Sequence, residues 1–83
     1  MTTVRVYKSR KTPELYLYVD AEEDLDRVPE ALLSRFGRPQ VAMSLELSAD
    51  RHLARVDASV VLSEIEDSGF YLQLPPDPAA WNR

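Results

Sequence analysis

Few residues in this chain of 83 could do chemistry. It has one histidine, no cysteine and two glycines. His52 stands in a polar stretch, and a lone histidine without cysteine or a second histidine makes a poor zinc ligand set. Disulfides and thiolate metal sites are excluded by composition. Ser44, Asp50 and His52 carry the letters of a nucleophilic triad, but Ser44 falls in an alternating strand-like run, not on a strand-to-helix elbow. Asp24-x-Asp26 opens like a calcium loop. Val28 and Pro29 then stand where a further ligand and the turn glycine should follow. Gly37 and Gly69 both fall at helix ends, so no phosphate-cradling glycine loop can be written. Paired carboxylates for acid–base work stay open, with nothing to suggest a pocket for them. The expectation is a protein that is not an enzyme, with no catalytic residue, metal or cofactor.

What is left is charge and aromatic residues. The net charge is −4, a poor start for a nucleic-acid binder, but the charges are segregated. Residues 1–13 hold Arg5, Lys8, Arg10 and Lys11 and no acid; residues 20–30 hold Asp20, Glu22, Glu23, Asp24, Asp26 and Glu30 against Arg27 alone. One reading is two solvated turns of opposite sign. The other is a basic tip of Lys8, Arg10 and Lys11 that meets an anion or an acidic partner.

Periodicity places these residues on elements. Val4 and Val6 alternate with Arg5 and Tyr7, and Leu15, Leu17 and Val19 alternate with Tyr16 and Tyr18. Two such runs joined by a short polar loop read as an antiparallel hairpin. Pro29 is suited to the first position of a helix. Leu25, Val28, Leu32, Leu33 and Phe36 supply its apolar stripe. Gly37 in a left-handed conformation and then Pro39 end it. Asp24, Asp26 and Glu30 lie near its start, where the helix dipole favours negative charge.

Residues 40–47 are the cleanest strand, with Val41, Met43, Leu45 and Leu47 alternating with polar or small residues. Asp57 is expected to cap a second helix, with Val56 and Val61 as a hydrophobic staple. Ala58, Val61, Leu62 and Ile65 form its buried stripe, and Gly69 ends it. Phe70, Leu72 and Leu74 make a last strand before Pro75, Pro76 and Pro78. The order β-β-α-β-α-β predicts an α+β, two-layer α/β sandwich: a mostly antiparallel four-stranded sheet with two helices on one face. A parallel crossover from the third strand to the fourth is conceivable.

Several of these segments together resemble the YcgL domain family of small proteobacterial proteins. They are Tyr16-Leu17-Tyr18-Val19, Arg27-Val28-Pro29-Glu30, Phe36-Gly37-x-Pro39-Gln40 leading into Met43-x-Leu45-x-Leu47, and Gly69-Phe70-Tyr71-Leu72-Gln73-Leu74-Pro75-Pro76. The resemblance spans roughly residues 4–76. It implies a compact α/β domain and brings no activity, cofactor or site residue with it. The expected organisation is a single domain over residues 1–76 and an extended tail over 77–83. No run approaches the roughly 18 apolar residues of a membrane span, and the start lacks the pattern of a signal peptide. A cytoplasmic bacterial protein with no membrane partner is the expectation.

Strand parity gives the sharpest functional expectation. If the alternating aliphatic residues face the helices, then Arg5, Tyr7, Tyr16, Tyr18, Tyr71 and Gln73 lie together on the opposite face with all four tyrosines. Three readings of that face compete. The tail with Trp81 folds back over it; a protein partner or a second copy of the chain binds it; or single-stranded RNA stacks on its rings while the basic tip holds phosphates. The reading preferred from sequence is a non-enzymatic interaction module that binds a protein partner or itself, with weak RNA binding as the alternative.

Overall fold

The computed structural model describes residues 2–50 and 57–76. Its elements are β1 (Thr2–Ser9), β2 (Tyr16–Asp20), α1 (Glu30–Phe36), β3 (Pro39–Leu47), α2 (Ala58–Ser68) and β4 (Tyr71–Gln73). The α+β class, the order of elements and the four-stranded sheet are as expected. Every strand pair is antiparallel, and the order across the sheet is β3-β1-β2-β4. The conceivable parallel crossover does not occur, because β3 and β4 form opposite edges. The expected tail and Val56 lie outside the described residues.

The placement of the helices differs from expectation, and the cause is one loop. Ser9 donates its backbone N–H to the carbonyl of Leu15 at 3.0 Å, closing a hairpin over residues 10–14. In this register Val4 faces Asp20, Arg5 faces Val19, Val6 faces Tyr18, Tyr7 faces Leu17 and Lys8 faces Tyr16. Directly opposed residues of an antiparallel pair share a face. Even-numbered residues of β1 therefore join even-numbered residues of β2, and the aliphatic residues of the two strands point to opposite sides. Both faces of the hairpin are apolar, and each needs a cover.

The core is accordingly double. On one face Val4 and Val6 pack with Leu47 and with Ala58, Val61 and Ile65 of α2. On the other, Leu15, Leu17, Val19 and Tyr7 pack with Val28 and with Phe36 of α1. The helices lie on opposite faces, giving three layers in place of the expected two. Leu72, opposite Leu17, extends the α1 side, and Leu45, opposite Val4, the α2 side.

The local details shift in small ways. Pro29 is the N-cap and not the first helical residue, and its carbonyl accepts from Leu32 and Leu33. Asp57 occupies the α2 N-cap, but its backbone carbonyl accepts from Val60 and Val61 while no side-chain capping bond forms. Residues 21–28 are successive turns, so Leu25 and Val28 reach the core from turns and not from helix. The last strand is shorter than expected, and Leu74 is exposed. Gly37 has φ 91° and ψ −166°, a region open to glycine but not the left-handed helical one expected.

Candidate functional site

The expected tyrosine face is divided by the sheet. Tyr16, Tyr18, Tyr71 and Gln73 lie on the α2 side, while Arg5 and Tyr7 lie on the α1 side. Tyr16, Tyr18 and Tyr71 are half-buried against the α2 cluster. The Tyr18 and Tyr71 rings meet edge-on with centroids 5.8 Å apart, and the Tyr18 hydroxyl donates to Oε1 of Gln73 at 3.0 Å. The Tyr18 and Tyr71 rings are thus core margin, not an open platform. No single surface displays all four tyrosines, because parity across a hairpin depends on its loop as well as on the strands.

Tyr7 is nearly fully buried and belongs to the α1 core. Its hydroxyl donates to Asp24 Oδ1, and Arg5 holds Asp24 Oδ2 at 3.2 Å. Asp24 makes both contacts from a left-handed backbone position, φ 53°. Burial, and then the bond to Asp24, raise the Tyr7 phenol above its ordinary pKa. The Arg5 guanidinium is in turn stabilised in its charged form by Tyr7 and Asp24. This triplet tethers the acidic turns to β1. It carries no free base or nucleophile, and its chemistry is structural.

Ser9 is the corresponding clamp at the other end of the sheet. Its buried hydroxyl donates to the Phe36 carbonyl at 2.6 Å and accepts from the N–H groups of Lys11 and Thr12 at 3.1 and 2.9 Å. A Cβ on Gly37 would stand 3.1 Å from Cβ of Lys11. The hairpin loop is thus held against the link between α1 and β3. This adds Arg35 and Arg38, which sequence distance had hidden, to the tip formed by Lys8, Arg10 and Lys11. Lys8, Arg10, Lys11, Arg35 and Arg38 are all exposed. The acids of residues 20–26 begin at the opposite end of β2, at Asp20.

β3 is the open edge. Among the described residues no strand pairs with its outer side. Val41 and Met43, both expected in the core, are 55% and 57% exposed. Between Val6 and Tyr7 the β1–β3 register slips by one residue, so Ala42 is the extra residue of a bulge. Met43 consequently sits beside Val6 on the α2 face and Val41 beside Tyr7 on the α1 face. Neither helix covers these two side chains. The sequence signal for exposure was absent, because an edge strand and a central one alternate alike.

No built catalytic pocket appears among the described residues. A shallow cleft of about 510 Å³ is lined by Thr2, Thr3, Asp20, Ala21 and Glu22, and the Asp20 carboxylate already accepts from the Glu22 N–H at 2.8 Å. No group of three or more metal-ligating side chains occurs among the described residues. Ser44 sits regularly in β3 opposite Arg5, Asp50 accepts from Ser48 at 2.6 Å, and His52 lies outside the described residues. The Ser48 hydrogen bond is the main reason the Asp50 carboxyl is held below its ordinary pKa.

Fold and surface therefore define a small α+β domain, covered on both sheet faces, with β3 exposed along an edge and one basic end. The chain belongs to the YcgL domain family, whose model matches residues 4–76. It is 56% identical over 71 residues to a YcgL domain-containing protein of Pseudomonas aeruginosa, covering 86% of this chain and 73% of that relative. A YcgL domain-containing protein of Shewanella halifaxensis is 51% identical over 71 residues, covering 86% of this chain and 76% of its own length. One from Hahella chejuensis is 45% identical over 73 residues, or 88% of this chain and 69% of the relative.

Proposed function

We propose that this chain is a non-enzymatic, cytoplasmic interaction module whose partner, another protein or a second copy, adds a strand to β3. The observation that carries the reading is the exposure of Val41 and Met43 on the open edge of a strand spanning Pro39–Leu47. An edge strand presents main-chain N–H and C=O groups that another extended segment can satisfy, and flanking apolar side chains add affinity and selectivity. Natural edges are guarded by charge, proline or bulges; β3 has Pro39 at its start and the bulge at Ala42, but no charge between Arg38 and Glu46. The partner site of the sequence reading moves accordingly, from an open tyrosine face to the β3 edge.

The test is a photo-crosslinking residue at Met43 in the bacterial cell, with Glu64 on the exposed side of α2 as control position. The reading expects discrete adducts at position 43, none at 64, and loss of adducts when Val41→Lys puts a guarding charge on the exposed edge. Adduct mass separates a second copy from another protein. Equal labelling at both positions, or adducts indifferent to Val41→Lys in a folded protein, would overturn it.

A further inference from the structure

A row of side chains crosses the sheet at its basic end. Gln40 faces Lys8, Lys8 faces Tyr16, and Tyr16 faces Gln73. Register puts all four on the α2 side of strands in the order β3-β1-β2-β4. The row is about 14 Å wide at the usual strand spacing. Val4, Val6, Leu45 and Leu47 pack under α2 beyond it, toward the other end of the strands. Lys8 and Gln40 are exposed, and Tyr16 and Gln73 are half-exposed at the α2 margin. Arg10 and Arg38 each stand two residues along the chain from Lys8 and Gln40 at this end of the strands, while the Ser9 clamp holds Lys11 toward the α1 side.

We propose that this end of the sheet binds single-stranded nucleic acid. The basic side chains hold phosphates, the Tyr16 ring offers a stacking surface, and the Gln40 amide and the Gln73 amide N–H, whose Oε1 accepts from Tyr18, meet base edges. The combination matters. A basic patch alone suits any polyanion, whereas a ring flanked by amides within one row suits exposed bases. Duplex binding is disfavoured because its bases are stacked away from such a row.

Net charge does not forbid this. Asp20 is four residues along β2 from Tyr16, about 13 Å of extended chain. The acids of residues 20–26 begin there, beyond the screening length of about 8 Å at physiological salt. Among the described residues Glu14 is the acid within the hairpin loop itself.

The experiment is fluorescence polarisation of labelled, degenerate RNA and DNA single strands of about ten nucleotides, a length within common single-strand site sizes. Binding is expected with either strand; a preference for RNA would assign a role to the 2′-hydroxyl. Three to four phosphate contacts predict affinity falling about twenty- to fifty-fold between 50 and 200 mM salt. Arg10→Glu with Lys11→Glu should weaken binding at least about tenfold, and Tyr16→Leu at least about fivefold, with Tyr16→Phe restoring it. The amide spectrum checks that each variant is folded. No polarisation change with either strand, binding unaffected by the charge reversals, or equal competition by an oligoglutamate peptide would each overturn the proposal.

Discussion

Val6 and Tyr18 face each other across the β1–β2 ladder, and both contribute to the cluster beneath α2. This one pairing turns an expected outward tyrosine into a core-margin residue. Tyr18→Ala should therefore destabilise the domain by about 2–3 kcal/mol, in the range of large-to-small changes at partly buried sites, where an open-face tyrosine would cost little. A double-mutant cycle with Tyr71→Ala should show coupling of about 0.5–1.5 kcal/mol, from the edge-on ring pair. Urea unfolding measures both.

Tyr7 gives an alkaline signature. Its phenol is buried, donates to Asp24 and has a raised pKa in the folded state. The unfolded chain ionises this group first as pH rises, so its contribution is complete below about pH 10 and declines above that. Tyr7→Phe should lower stability at pH 7 by about 1.5–3 kcal/mol, the usual size for a hydrogen bond to a charged partner. It should also flatten the fall in urea midpoint expected of the wild-type protein above about pH 10.

Ser9 satisfies two loop N–H groups and the last carbonyl of α1 with one hydroxyl. Ser9→Ala orphans all three, and a loss of about 2 kcal/mol or more is expected. Hydrogen exchange should rise first at Lys11 and Thr12, whose amides lose their acceptor, and then in α1.

Arg27 and Gly69 are coupled. Arg27 donates to the carbonyls of Ile65, Glu66 and Asp67 at 3.2–3.5 Å and so caps the end of α2. Its stem fills the space above Gly69, where an added Cβ would lie 2.4 Å from Cβ of Arg27. Gly69 also has φ 91°. Gly69→Ala should cost about 2 kcal/mol or more through clash and strain together. Arg27→Gly should cost about 1 kcal/mol through the lost cap. Thermal melts should show the double variant less destabilised than the sum, since the second change removes the clash.

Much of the architecture was legible before any coordinates. The alternation of residues 40–47, the stripe of Ala58, Val61 and Ile65, and the glycines after both helices placed β3, α2 and the element boundaries to within a few residues. The motif string from Gly69 to Pro76 pointed to the family. The basic tip was visible as Lys8, Arg10 and Lys11, though not its extension by Arg35 and Arg38.

One signal was available and misread. Leu15, Tyr16, Leu17, Tyr18 and Val19 form an unbroken apolar run once tyrosine is counted as a ring and not as a hydroxyl. Such a run marks a strand covered on both faces. Counting only aliphatic residues turned it into a one-sided strand, and two helices on one face followed.

The sequence by itself determined which segments become strands and helices, because propensity and periodicity act within a few residues. It also determined the segregation of charge along the chain and the poverty of catalytic groups. Only the tertiary structure decided which face each strand shows its neighbour, since that parity depends on how residues 10–14 close the hairpin. It also decided that β3 is an edge while β1 is central, because strand order is set by packing between distant segments. Val41 and Val4 have the same side chain and the same alternating surroundings. One is 55% exposed and the other 0%, for no reason but the neighbours that the fold supplies.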